Sequence, residues 1–108
     1  MKLPPDTLIA RRKVRDYLLV CRPEDDKSAF LARAGYVSET ADRLLADLRT
    51  QLLPLEARFL EGGEYGTKYE IRAKLTGPNG RTLRVVSIWM IEHVGGKAKF
   101  VTLYPDKT

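Results

Sequence analysis

The segment Thr67 to Leu75 alternates without interruption. Thr67, Tyr69, Ile71, Ala73 and Leu75 fall on one side, and Lys68, Glu70, Arg72 and Lys74 on the other. A period of two is that of a pleated strand, so this segment must be a strand with one face toward a core and a charged face away from it. Gly77-Pro78-Asn79-Gly80 follows. Proline presets the first central residue of a type I turn, and glycine accepts the left-handed position after it, so the chain is expected to return as a hairpin.

A three-residue turn with a glycine bulge pairs Leu75 with Leu83, Ala73 with Val85, Ile71 with Ser87 and Tyr69 with Trp89. A two-residue loop would set Leu75 against Thr82 and scatter the apolar residues, so burial selects the bulged register. That register brings Lys74 opposite Arg84 and Arg72 opposite Val86. Lys68, Arg72, Lys74 and Arg84 are therefore expected to gather as one basic patch around Glu70.

The rest of the second half continues as sheet. Arg58 to Leu60 is a weak strand candidate, Thr82 to Ile91 a central strand apolar on both faces in its second half, and Lys99 to Tyr104 a strand after the Gly95-Gly96 turn. In that last strand, alternation sets Phe100, Thr102 and Tyr104 on one face and Val101 and Leu103 on the other. A two-residue loop would bring Thr102 to Trp89 on the core side, and a three-residue loop to Ile88 or Met90 on the basic side.

The first half has the helical period. Val14, Tyr17 and Leu18 share a face within Arg11 to Leu19, and Phe30, Leu31 and Ala34 do so before Gly35 stops the second segment. From Ser38, a candidate N-cap, Ala41, Leu44, Leu45, Leu48 and Leu52 trace the longest stripe, which ends before Pro54. Helices followed by strands predict an α+β fold, with N-terminal helices packed on one face of a three- to four-stranded antiparallel sheet.

A chain of 108 residues with 44% apolar and 31% charged residues is one domain's worth, residues 1–108, and no multidomain enzyme. No apolar run approaches the ~20 residues of a membrane helix, and no secretory signal opens the sequence, so a cytoplasmic protein without membrane contact is expected. One cysteine, Cys21, and one histidine, His93, offer neither an internal disulfide nor a set of soft metal ligands, so no metal and no cofactor are expected. Nineteen Lys and Arg against fourteen Asp and Glu, a net charge of +5, bias the chain toward anionic partners.

Few residue types remain for chemistry. Glu70 among cations suits a general base held ionised, although such a residue is more often a cross-strand ion-pair partner. His93, beside Gly95-Gly96, has the one side chain that ordinarily titrates near neutrality. Ser87 and Cys21 lack the partners that nucleophilic catalysis needs. Lys27, in the first turn of the second helix, opposes the helix dipole, so it is either a functional cation or a lysine paired with Glu24 or Asp25.

Several runs carry a resemblance: Leu3-Pro4, Asp16-Tyr17-Leu18-Leu19, the segment Lys27 to Tyr36, Gly66 to Arg72, Leu75 to Arg81, Ser87-Ile88-Trp89 and Phe100 to Pro105. Together they resemble a bacterial domain family of about this length with no settled activity. More widely, helices before a four-stranded sheet, a basic helical residue and a last strand ending Thr-x-Tyr-Pro look like the barnase, EndoU and RelE-like group of small metal-independent ribonucleases and toxins. That resemblance implies RNA across the open sheet face, a site including Lys27, Arg72, Thr102 and Tyr104, and a small inhibitory protein partner. Glu70 and Arg84 join the site by the face assignment above. Where the resembling sequences often carry basic residues or histidine before the helix lysine, this chain has Glu24-Asp25-Asp26. The expectation is a toxin-like metal-independent endoribonuclease, with Lys27, Glu70, Thr102 and Tyr104 catalytic and Lys68, Arg72, Lys74 and Arg84 binding substrate. The alternative is a non-catalytic module that binds an acidic protein or nucleic acid.

Overall fold

The computed structural model describes residues 1–20 and 27–107. Four antiparallel strands, β1 (Arg58–Gly62), β2 (Gly66–Thr76), β3 (Thr82–Glu92) and β4 (Ala98–Pro105), form one sheet in the order β1-β2-β3-β4. The central hairpin has the register that burial demands, Leu75 with Leu83, Ala73 with Val85, Ile71 with Ser87 and Tyr69 with Trp89. Gly80 closes its turn at φ 85°, in the left-handed region, with its N–H donating to the Gly77 carbonyl at 3.0 Å.

Before the sheet come α1 (Arg11–Lys13, continued by Val14–Leu18), α2 (Ser28–Ala32) and α3 (Ala41–Asp47, entered through the single turn Ser38–Thr40 and continued by Leu48–Leu52). The continuations of α1 and α3 widen to i→i+5 bonding, as in Leu19 N–H to the Val14 carbonyl at 3.2 Å and Leu53 N–H to the Leu48 carbonyl at 2.9 Å. Ala41, Leu44, Leu48 and Leu52 of α3 are all buried, and each fully buried leucine stabilises the fold by about 1.5–3 kcal/mol.

All the helices lie on one side of the sheet. Leu18, Leu31, Leu44 and Leu48 share a core with Ile71, Leu75, Val85, Trp89, Phe100 and Leu103. The Trp89 and Phe100 rings meet edge to face at 5.1 Å between centroids. Side-chain bonds tie the layers together. Gln51 closes both backbone groups of Thr76, at 2.9 and 2.8 Å, while Arg49 holds the entering chain through the carbonyls of Pro5 and Thr7, both at 2.9 Å. The hairpin turn abuts the end of α2, where Asn79 N–H donates to the Ala34 carbonyl at 3.3 Å. A Cβ on Gly77 would stand 2.1 Å from that same oxygen, so only glycine fits there.

Strand β4 departs from simple alternation. Trp89 pairs with Phe100, but Ile88 pairs with Thr102, so Val101 is an extra residue in a bulge. Phe100 and Thr102 therefore face opposite sides, although they are two residues apart. The loop before β4 is also longer than either length weighed above, since Glu92 N–H donates to the Lys97 carbonyl and four residues, His93 to Gly96, lie between. The bulge resolves a conflict of phase. The core takes both Phe100 and Leu103, three residues apart, which a regular strand cannot offer on one face.

Candidate functional site

Alternation along β2 and β3, together with the β4 bulge, defines the face of the sheet away from the helices. Across β2, β3 and β4 its rows read Lys74, Arg84 and, just beyond β4, Asp106; then Arg72, Val86 and Tyr104; then Glu70, Ile88 and Thr102; then Lys68, Met90 and Lys99. Glu70, Arg72, Thr102 and Tyr104 thus surround two apolar residues, Val86 and Ile88. Those two are only 1% and 6% exposed, yet neither belongs to the core that the helices share with the other side of the sheet.

Charge on this face is partly compensated. Arg72 Nε lies 3.2 Å from Glu70 Oε1, and Arg72 Nη1 lies 3.1 Å from Asp106 Oδ1. The hydrogen bond to Glu70 above all, with the charges of Glu70 and Asp106, raises the Arg72 guanidinium above its already high pKa. Lys68 lies 3.7 Å from Glu61, and Lys99 lies 3.8 Å from Glu92. Lys74 and Arg84, exposed and directly opposite each other, have no ion-pair partner among the described residues. Like charges opposed across a ladder destabilise a sheet, and a bound anion would relieve that repulsion.

Lys27 stands elsewhere. It is 8% exposed, directly before α2, with Nζ donating to the Tyr17 hydroxyl at 3.1 Å and lying 5.2 Å from the centre of that ring. Tyr17 packs against the core on the helical side, so the sheet separates Lys27 from Arg72. The acidic stretch Glu24-Asp25-Asp26, with Cys21, lies outside the described residues. His93 is at the far end of the strands from Arg84, its Nε2 donating to the Gly63 carbonyl at 2.8 Å, where it fastens the β3–β4 loop to the β1–β2 turn. Among the described residues no three His, Cys, Asp or Glu side chains gather as metal ligands, and no helix is long and apolar enough to cross a membrane.

Asp106 is the member of this face that sequence reasoning passed over. The signal was present, because the alternation that sets Thr102 and Tyr104 on one side sets Asp106 there too. What hid it was Pro105, which reads as the end of a strand.

The family described as a domain of unknown function, DUF6883, matches residues 4–107. Among solved structures, one chain of a contact-dependent growth inhibition toxin and immunity protein complex from Klebsiella pneumoniae 342 is similar in fold. The TM-score is 0.63 at 17% sequence identity, over 93% of this chain and 100% of that one. No curated protein matches the chain.

Proposed function

The chain belongs to the DUF6883 family, and we propose that it is a metal-independent endoribonuclease of a toxin system, with RNA lying across the open face of β2, β3 and β4. One observation carries the reading: Glu70, Arg72, Thr102 and Tyr104 flank Ile88 and Val86 in two adjacent rows. A carboxylate, a guanidinium and two hydroxyls are the groups that transesterification of RNA uses without a metal. Glu70 takes the proton of a ribose 2′-hydroxyl, whose oxygen then bonds to the adjacent phosphorus. The bond from phosphorus to the 5′-oxygen breaks, and Tyr104 supplies the proton that the leaving oxygen needs. Arg72, with Thr102 donating a hydrogen bond, offsets the charge that builds on the phosphoryl oxygens. Lys68, Lys74 and Arg84 hold neighbouring phosphates and set the register of the strand. Lys27, directed at Tyr17 in the helical layer, takes no part in this scheme.

A protein partner is part of the proposal. A chain of similar fold occurs in a toxin and immunity protein complex, and an acidic inhibitory protein seated on the open face would meet Lys74 and Arg84. The second reading, a binding module without catalysis, draws on a different observation. Arg72 already has Glu70 and Asp106 as partners, and the Glu70 side chain is only 12% exposed.

Incubating the purified protein with total RNA, with and without a chelator, tests both. The nuclease reading expects fragments ending in 2′,3′-cyclic phosphate at a rate the chelator does not change, and a loss of about 10²-fold or more in Glu70→Gln. RNA that is bound and never cut favours the module. RNA that is neither bound nor cut removes both RNA readings.

A further inference from the structure

Arg72 holds two carboxylates, and one of them comes from beyond the sheet. Asp106 follows Pro105, the last residue of β4. Its N–H donates to the Arg84 carbonyl at 2.9 Å, which extends the ladder by one residue and turns the side chain to the open face. There Oδ1 lies 3.1 Å from Arg72 Nη1, with the Asp106 side chain 9% exposed. A guanidinium fork receives carboxylate and phosphate oxygens with the same planar geometry. Lys74 and Arg84 stand in the same row as Asp106, without ion-pair partners among the described residues. An anion seated where this carboxylate sits would meet three cations.

We infer that the Asp106 carboxylate holds the place of a phosphate on Arg72, so that this side chain is an internal competitor which a bound nucleic acid displaces. This rests on the reading of the open face as an RNA site. Glu70 has a different part. It lies on β2 two residues from Arg72 and stays beside the guanidinium when Asp106 leaves. The exchange trades a partly screened ion pair for a phosphate that also engages Lys74 and Arg84, and so it favours the ligand. Discrimination follows as well. A ligand with one isolated charge gains little over Asp106, whereas one with closely spaced phosphates gains the two neighbouring cations.

Asp106→Asn in the full chain tests the inference, because asparagine keeps the size of the side chain and removes its charge. Asp106→Ser serves as a second variant, and both are checked for an unchanged circular dichroism spectrum. Two probes are used, a short single-stranded RNA oligonucleotide and pyrophosphate, with affinities measured over a salt series. Removing the competitor is expected to tighten both probes about fivefold or more. The salt slope for RNA should stay close to the parent's, because the same phosphate contact forms in both once Asp106 has left. If neither variant tightens binding of either probe while Lys74→Ala weakens RNA binding, Asp106 is not a competitor and the RNA reading survives. If pyrophosphate binding tightens and no form of the protein binds RNA, the competitor stands and the RNA reading falls. Equal affinity of parent and variants for both probes overturns the inference.

Discussion

The Trp89 indole donates its N–H to Ser87 Oγ at 2.8 Å, and Ser87 in turn donates to the Ile71 carbonyl at 2.9 Å. Both side chains are fully buried. This chain of bonds is how the core accommodates the polar edge of its largest side chain, since an unpaired buried donor costs about 1–3 kcal/mol. Ser87→Ala is expected to destabilise by that amount, and Trp89→Ala by about 3–5 kcal/mol, as for other buried aromatics. Urea midpoints measure both. A Ser87→Ala midpoint equal to the parent's would mean that the indole has another acceptor.

Tyr36 is the buried group whose titration should be visible. Its hydroxyl donates to Asp47 Oδ2 at 2.6 Å, and the same carboxylate oxygen lies 2.9 Å from Arg43 Nε. Burial first, then the hydrogen bond and charge of Asp47, push the phenol well above its ordinary value of 10.0. In the unfolded chain the phenol ionises near 10; in the folded protein it does not. Stability from this group is therefore complete below pH ~10 and falls as pH rises above it, with a slope of up to about 1.4 kcal/mol per pH unit. Tyr36→Phe should lose stability at neutral pH and show a shallower alkaline decline than the parent. Parallel curves for the two proteins between pH 9 and 11, a range of about two units around the free phenol value, would refute the assignment.

Gly77→Ala is expected to destabilise although it adds only a methyl group, because Gly77 is buried where the hairpin turn begins. The new carbon would stand 2.1 Å from the Ala34 carbonyl oxygen and 2.6 Å from the Ala34 Cβ, and these atoms belong to the end of the α2 segment rather than to a flexible side chain. Overpacking of this kind costs about 1–3 kcal/mol. Gly80→Ala strains the same turn through its φ of 85° alone, with nothing within 4 Å of the added carbon. Thermal unfolding of both variants separates contact from conformation, and the double variant should show whether the two costs add.

Lys74→Ala and Arg84→Ala should each weaken RNA binding and reduce its salt slope by about one. Because each removes one member of an opposed pair of like charges, neither should cost stability, and a slight gain is expected. Binding isotherms at several salt concentrations measure the first effect and denaturant midpoints the second. An unchanged salt slope in both variants would remove the basic row from the site.

The central hairpin was legible in the sequence, down to its register. One face of β2 is apolar at every second position, and a one-residue slip would expose Ile71 and Leu75. The stripe of α3 was legible for the same reason. Strand β4 was not, because its residues satisfy two phases: Phe100 belongs to the core by one, Leu103 by the other, and only the bulge at Val101 admits both. Lys27 could not be placed from its position near a helix start. Among the described residues it meets a partner ten residues earlier, Tyr17, and such a contact leaves no pattern in the sequence. The pairing of Arg72 with Asp106, 34 residues apart, is equally silent.

The bulge at Val101 also gives β4 a tolerance that β3 lacks. Phe100 already stands opposite Trp89 and Thr102 opposite Ile88, adjacent stations on β3, so losing the residue between them would join two runs that are each in step with β3. Ironing the bulge out without that loss would send Thr102 and Tyr104 inward and Leu103 outward. Val101 thus works like a frameshift and its own correction, and chain length can shorten there by one residue while the two faces of the strand keep their separate contents.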